Sequence, residues 1–147
     1  MAKNILIISS DYTGHGHKSI TTSLMEKFSL YPDVKVHVID GFTLIGNIGL
    51  RIGKLYGPIT RRAKEVWKFM WEISLKKPSL VNEFTEVAMR DNFLELIREI
   101  KPDLILSVHP NFNGSVINIL EENNINIPFV TLIADLVSIT SLWADPR

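Results

Sequence analysis

The stretch NILIISSDYTGHGHKS, residues 4–19, decides the fold. Its first half, Asn4 to Ser10, is a short, uncharged and largely β-branched run, which is typical of a buried strand. Its second half contains Gly14 and Gly16, which let the backbone turn tightly. A helical pattern then runs from Gly16 to Leu30. A buried strand that turns through glycines into a helix is the first unit of an α/β fold.

The rest of the chain alternates in the same way. Further strands are predicted at Val34–Asp40, Leu104–Val108 and Pro128–Ile133. Helices are predicted at three places, with an interruption near Gly57-Pro58 and a restart at Asp91: Leu44–Lys77, Leu80–Ile100 and Asn113–Asn123. The pattern predicts an α/β fold with a Rossmann-like, doubly wound parallel sheet of at least four strands, the first strand central and helices on both faces. Ligands bind such sheets at the carboxyl ends of the strands.

Composition limits the class of protein. The 147 residues suit one domain, and a hydrophobic content of 46% rules out a disordered polyelectrolyte. Cysteine is absent, so the sequence offers no disulfide scaffold, thiolate metal site or cysteine nucleophile, and this fits a cytoplasmic location. No run approaches the ~20 apolar residues of a membrane-spanning helix. The chain is therefore expected to be soluble or to lie on a membrane without crossing it.

A net charge of zero conceals a basic block. Residues Gly41 to Leu80 contain eight Lys and Arg against two acids, a net charge of +6, and the remainder carries −6. Aromatic and aliphatic side chains are interleaved with these bases, which is typical of a segment that lies at an anionic membrane surface. The residues expected to contact the membrane are Arg61, Arg62, Lys64, Trp67, Lys68 and Trp71. The alternatives are a core helix with a solvated basic face and nucleic-acid binding; no recognised motif supports the latter, and no nucleic-acid partner is predicted.

The glycine turn between the first strand and its helix does not match either standard phosphate-binding motif. A P-loop requires glycine immediately before Lys18-Ser19, where His17 stands, and the dinucleotide fingerprint would require glycine at Ser19. Instead the turn carries two histidines. His15 is expected to cap the helix or face solvent. His17 begins a helix beside the crevice, where an imidazole could act as a general base near neutral pH, although it too could simply cap the helix.

Two later strand ends carry polar residues. His109 ends the third strand, and Pro110 forces a turn that leads to Asn111. Asp135 closes the fourth strand, where a carboxylate could orient a histidine, bind a substrate hydroxyl or cap the next turn. His109 could equally be a satisfied turn histidine, and His37, on a strand face with Lys35, is interpreted as structural. No metal site is predicted.

Three stretches resemble landmarks of one enzyme family. Ile8-Ser9-Ser10 followed by Gly14 and Gly16-His17 is similar to the opening of monogalactosyldiacylglycerol synthases and bacterial processive diacylglycerol glucosyltransferases. The run from Lys101-Pro102-Asp103 to His109-Pro110 resembles their second landmark. The run from Ile127-Pro128 to Asp135, followed by Leu142-Trp143, resembles the third. The landmarks occur in the family's order across nearly the whole chain.

The resemblance implies the N-terminal half of a GT-B fold, which has two Rossmann-like domains. It implies that residues 1–147 meet diacylglycerol and the membrane, that a donor domain absent from this chain holds the UDP-sugar, and that an inverting transfer moves a hexose to the acceptor. No tightly bound cofactor is implied. His17 matches the family's candidate base, and Asp135 is the second candidate catalytic residue. Substrate-binding residues are expected at further crevice positions, namely Gly14, Gly16, His109, Asn111 and Trp143.

The chain also departs from the family's pattern. His15 stands where glycine is common, and no histidine occurs between Asp135 and Trp143. Two other hypotheses remain open at this point. One is a non-catalytic membrane or lipid-binding module that uses the basic block alone. The other is a different GT-B or Rossmann-like enzyme, such as a peptidoglycan-type glycosyltransferase or a UDP-sugar epimerase. The predicted location is the cytoplasmic face of a membrane.

Overall fold

The computed structural model describes residues 2–11, 13, 15–135 and 139–145. Its centre is a four-stranded sheet in the order β2-β1-β3-β4, in which every pair of neighbouring strands is parallel. The strands are β1 (Lys3–Ser9), β2 (Val34–Asp40), β3 (Leu104–Ser107) and β4 (Phe129–Thr131). The predicted parallel sheet with an interior first strand is confirmed.

The helices cover both faces of the sheet, as predicted for a Rossmann-like fold. They are α1 (His15–Phe28), α2 (Gly41–Leu44), α3 (Gly46–Arg62), α4 (Lys64–Lys76), α5 (Pro78–Ile100) and α6 (Asn113–Glu122). Short 3-10 turns occupy Pro110–Phe112 and Ser141–Trp143. Alternate side chains of β1 point to opposite faces. Ile5 and Ile7 pack against α1, whereas Leu6 and Ile8 belong to the larger core that α5 and α6 cover.

Most predicted element boundaries are correct within two residues, and two helical predictions are wrong. Helix α5 does not restart at Asp91, because Met89 and Phe93 on either side of it are both fully buried in one core. Pro58 lies inside α3, and the helix ends instead at Ala63, whose backbone angles (φ −127°, ψ 58°) are not helical. The strands at the carboxyl side are also shorter than predicted: β3 ends before Val108 and β4 ends at Thr131.

The junction between β2 and α3 fixes the position of the next helices. Asp40 caps α2 by accepting a hydrogen bond from the Phe42 backbone N–H (2.8 Å), and its other carboxylate oxygen accepts one from the Asp11 N–H (2.9 Å). A side chain at Gly41 would collide with the ring of Phe112. Gly46 then turns the chain with φ +75°, a backbone conformation that glycine adopts without strain.

Helices α3 and α4 contact each other and are joined at Ala63; we call them the α3–α4 hairpin (residues 46–76). No residue of α4 is buried, whereas α5 buries Met89, Phe93 and Ile97. Gly49 of α3 lies so close to the Phe42 carbonyl that a Cβ at this position would collide with it. The hairpin thus contacts the domain mainly through α2 and α5 and leaves its outer side exposed.

Candidate active site

A cavity of about 670 Å³ opens at the carboxyl ends of the strands, beneath the α3–α4 hairpin. We call it the crevice cavity. Thr13 follows β1, His109 follows β3 and Asp135 follows β4, and all three side chains line it together with His17 from α1. Side chains from three distant parts of the chain therefore meet where parallel α/β sheets bind their ligands.

His17 is held by a backbone carbonyl just beyond the end of β3. Its ring is 9% exposed, and Nδ1 lies 2.6 Å from the carbonyl oxygen of Val108. A carbonyl oxygen can only accept, so Nδ1 is the donor, and the tautomer with this arrangement has its lone pair on Nε2. Among the residues that the structure describes, none is a hydrogen-bond partner of Nε2. His17 is thus buried in the first turn of α1 rather than facing solvent, and its free nitrogen can accept a proton.

Helix α1 is fixed at the same point by buried hydroxyls. The Thr21 hydroxyl donates to the carbonyl oxygen of His17 (2.8 Å), and the Ser9 hydroxyl donates to Thr21 Oγ1 (2.7 Å). Both threonine and serine are buried. Each polar group in this contact between β1 and α1 is satisfied, so the backbone that carries His17 has one well-defined position.

His109 lies next to His17, with ring centroids 4.6 Å apart, but its hydrogen bonds differ. The Asn111 backbone N–H donates to Nδ1 (3.3 Å), so Nε2 carries the proton and donates to Thr13 Oγ1 (2.9 Å). The Thr13 hydroxyl then donates to Ser10 Oγ (2.7 Å). Burial, and next the proximity of His17, hold the pKa of His109 well below its usual value. His109 is therefore a neutral ring with both nitrogens engaged.

Asp135 and Trp143 form a pair at the edge of the same cavity. The indole Nε1–H of Trp143 donates to a carboxylate oxygen of Asp135 at 2.8 Å. The Trp143 ring is 2% exposed and stacks on His17, with centroids 6.2 Å apart and an interplanar angle of 29°. The structure therefore joins two predicted residues, Asp135 and Trp143, and places the Trp143 ring against His17. The hypothesis that Asp135 orients a histidine directly gains no support, since its partner is an indole.

The structure adds Tyr56, a site residue that the sequence analysis missed. Its side chain lines the crevice cavity and packs edge-on against Trp67, with centroids 4.9 Å apart. Burial, and then the negative charge of Asp135, raise the pKa of this phenol above its ordinary value. Tyr56 therefore stays protonated and can donate a hydrogen bond into the cavity. A lone tyrosine within an amphipathic helix gives no sequence signal of this role.

The residues predicted to contact a membrane fall into two groups. Arg61, Arg62, Lys64 and Lys68 are exposed. Trp67 and Trp71 are half-buried and line the crevice cavity instead. The exposed apolar side chains of the α3–α4 hairpin include Ile48, Leu55, Val66 and Phe69, with Phe69 65% exposed. The hairpin thus exposes both basic and apolar side chains, and the two tryptophans are not among the exposed apolar ones.

Of the two glycines in the first turn, only Gly16 is among the described residues. Gly14 lies outside the described residues. Gly16 is exposed in α1, and a Cβ there would meet no atom within 4 Å. Asn111 lines the crevice cavity, as expected for a substrate-binding residue.

The described residues lack two further features. No group of three or more His, Asp or Glu side chains in these ranges could hold a metal ion. Likewise, no helix within the described ranges is both long and apolar enough to cross a membrane.

Comparison with known proteins identifies relatives. The model of the family described as "Monogalactosyldiacylglycerol (MGDG) synthase" matches residues 17–147. A protein of Oryza sativa subsp. japonica, named a probable monogalactosyldiacylglycerol synthase 3, chloroplastic, is 27% identical over 152 residues, an alignment that covers 97% of this chain. The chain spans 29% of the length of that curated relative.

Proposed function

Since this chain belongs to the monogalactosyldiacylglycerol synthase family, we propose that it is the acceptor-binding half of an inverting glycosyltransferase. In this proposal the full-length polypeptide transfers a hexose from a UDP-sugar to the free hydroxyl of diacylglycerol. The observation that carries the proposal is the Nε2 atom of His17, which has no hydrogen-bond partner among the described residues, on a side chain that lines a large cavity at the carboxyl ends of a parallel sheet.

The acceptor chemistry follows from this geometry. An alcohol is a poor nucleophile at neutral pH, so a base within hydrogen-bond reach speeds its attack, typically by ~10²–10⁴-fold. His17 Nε2 takes the proton of the acceptor hydroxyl as its oxygen bonds to the anomeric carbon of the sugar. The bond between that carbon and the diphosphate breaks at the same time, and UDP leaves with the electron pair. Attack from the face opposite UDP inverts the configuration of the anomeric carbon.

The neighbouring residues have supporting roles in this proposal. Val108 fixes the tautomer of His17 by accepting the Nδ1 proton. Trp143 backs the imidazole ring, and Asp135 holds the indole in place. Asn111, with its side chain in the cavity wall, and the phenol of Tyr56 are suited to bind acceptor oxygens. His109 orders the loop after β1 through Thr13 rather than acting as the base.

The α3–α4 hairpin supports a location at a membrane surface. Its exposed bases attract acidic lipids, and its exposed apolar side chains can enter the interface. We propose that the protein lies peripherally on the cytoplasmic face of the membrane, where the cavity beneath the hairpin is close to the lipid. The donor site is assigned to a further domain in the polypeptide, and the UDP-sugar is a substrate rather than a tightly bound cofactor.

The test compares His17→Asn and His17→Ala in the full-length polypeptide. An asparagine amide can replace Nδ1–H as the donor to Val108 but cannot act as a base, so this variant separates chemistry from folding. Both variants should lower kcat by ~10²-fold or more, and only His17→Ala should also leave the Val108 carbonyl without its partner, at a cost of about 1–3 kcal/mol in the free energy of unfolding.

Asp135→Asn and His109→Gln complete the series, because both side chains line the same cavity as His17. If His17→Asn keeps more than about a third of the wild-type turnover, well short of the loss expected on removing a general base, His17 is not the base. The variant with the largest loss of kcat at unchanged stability then identifies the group that is.

A further inference from the structure

A second cavity adjoins the crevice cavity. It has a volume of about 360 Å³ and lies between α4 and α5; we call it the α4–α5 cavity. Asn111, Asp135, Trp67 and Trp71 line both cavities, so the two share a wall at the tryptophans. The proposed reaction uses only the crevice cavity, and the second one has no role in it.

The lining of the α4–α5 cavity is mainly apolar. Ile73 and Trp71 of α4 face Val81 and Phe84 of α5, and Leu142 closes the inner end. Phe84 and Leu80 are also 55% and 50% exposed, so the apolar lining continues to the protein surface. Such a lining offers a sugar or a nucleotide too few hydrogen bonds to replace those it makes with water. It favours a hydrocarbon chain.

A few polar side chains, including Asn111, Asp135 and Thr140, interrupt this lining. Thr140 lines the α4–α5 cavity and is only 9% exposed, and its hydroxyl has no hydrogen-bond partner among the residues that the structure describes. A buried hydroxyl without a partner is costly, commonly by about 1–3 kcal/mol, so it indicates a missing acceptor. The side chain of Asn111, at the wall common to both cavities, is a second available donor.

We propose that the α4–α5 cavity binds one acyl chain of an ester-linked lipid and that the Thr140 hydroxyl donates to the ester carbonyl oxygen. This inference rests on the proposed function for the orientation of the lipid, whose free hydroxyl lies at His17 in the crevice cavity. The apolar chain passes the shared wall and extends between α4 and α5 towards the surface at Leu80 and Phe84. Thr140 is thereby a specificity residue that distinguishes an acyl ester from an alkyl ether.

The first experiment measures affinity for a matched pair of monomeric probes, 1,2-dihexanoylglycerol and its dihexyl ether analogue, with the full-length polypeptide. Binding is followed by the emission of the tryptophans, because Trp67 and Trp71 line both cavities. The wild type should bind the ester about 3–10-fold more tightly than the ether, the value of one hydrogen bond. Thr140→Val should bind both probes with the affinity of the wild type for the ether. Thr22→Val, an exposed threonine on α1, is the control and should keep the wild-type preference.

The second experiment fills the cavity. Val81→Phe narrows the α4–α5 cavity without adding charge. It should weaken binding of 1,2-dihexanoylglycerol at least tenfold. Binding of 1,2-diethanoylglycerol, whose acyl chains have only two carbons, should change much less. His17→Asn should keep the wild-type preference for the ester over the ether, because Thr140 and the α4–α5 cavity are unchanged in it. The proposal is overturned if wild type binds ester and ether equally, if Thr140→Val keeps the preference, or if Val81→Phe has no effect in a folded protein. Lost turnover in His17→Asn is not required for any of these results, so failure of the proposed function is recognised separately.

Discussion

The crevice and the α3–α4 hairpin place their functional side chains in opposite ways. In the crevice, His17, His109 and Trp143 are buried, and each donates a hydrogen bond to a defined acceptor. In the hairpin, α4 buries no residue, and Phe69 and the basic side chains face outward. Chemistry at a single atom requires a fixed position, whereas attraction to a charged surface requires only exposure and charge. A substitution in one region should therefore change different properties from a substitution in the other.

The sharpest test of this contrast compares two phenylalanines. Phe93 of α5 is fully buried and Phe69 of α4 is 65% exposed. Phe93→Ala should lower the free energy of unfolding by about 3–5 kcal/mol, because it removes buried apolar contacts and leaves a cavity. Phe69→Ala should change it by less than about 0.5 kcal/mol. Urea unfolding of both variants is the measurement, and a large loss for Phe69→Ala would show that the hairpin is packed more tightly than its exposure indicates.

The next prediction concerns charge in the hairpin. Changing Arg61, Arg62 and Lys64 together to glutamine removes three exposed bases, each contributing up to about 1 kcal/mol of attraction to an anionic surface. Binding to vesicles that contain acidic lipid should weaken by up to about 10²-fold at low salt, and stability should stay within about 0.5 kcal/mol per site of wild type. Vesicle sedimentation measures it.

The matched control for charge is a basic residue outside the hairpin. Lys101→Gln removes an exposed base at the end of α5 and should leave vesicle binding unchanged. Neutral vesicles form the second control, since there the triple variant should bind like wild type. Equal weakening on neutral and acidic vesicles would contradict an electrostatic role for the three bases.

How far the sequence predicts this molecule also differs between the two regions. The sheet follows from local patterns, and β2 is correct to the residue because Val34, Val36 and Val38 alternate with polar side chains. The hairpin is less predictable. Gly57 and Pro58 predict a break in the helix, but α3 continues through both residues. The helical pattern also does not show that Trp67 and Trp71 line the cavity, where Trp67 packs against Tyr56.

The site itself was predicted as a location but not as a set of contacts. Glycine, histidine and aspartate at strand ends indicate a crevice because parallel strands end at one edge. The contacts that define the chemistry join residues far apart in the chain. His17 bonds to Val108, 91 positions away, and Thr13 bonds to His109, 96 positions away. No local pattern encodes which imidazole nitrogen such a contact occupies, so the distinction between a free His17 and an engaged His109 required the structure.

The indole of Trp143 tests how far the crevice depends on single hydrogen bonds. Trp143→Phe keeps an aromatic ring against His17 but removes the donor to Asp135. Stability should fall by about 1.5–3 kcal/mol, the range for a hydrogen bond to a charged group, with the lower end expected because Asp135 is half-buried. In Asp135→Asn the indole can still donate to the amide oxygen, so thermal unfolding should show a smaller loss. The opposite order of the two losses would contradict this assignment.

The smallest expected effect is the pH dependence that His109 gives to stability. Burial, followed by the proximity of His17, holds the pKa of His109 well below its usual value in the folded protein. In the unfolded chain the pKa returns to about 6.5. Between these two pKa values the unfolded state binds more protons than the folded state, so stability rises with pH. The stabilisation is complete above about pH 6.5 and is lost as the pH falls below it, at up to about 1.4 kcal/mol per pH unit.

His109→Gln removes this titration, so its free energy of unfolding should fall less steeply than that of the wild type between about pH 6.5 and 5.5. Urea unfolding at each pH measures this slope. The matched variant is Lys101→Gln, which should keep the wild-type slope. If His109→Gln also keeps the wild-type slope, the buried ring is not the group whose protonation destabilises the crevice. The contrast between the buried crevice and the exposed hairpin then has no electrostatic component.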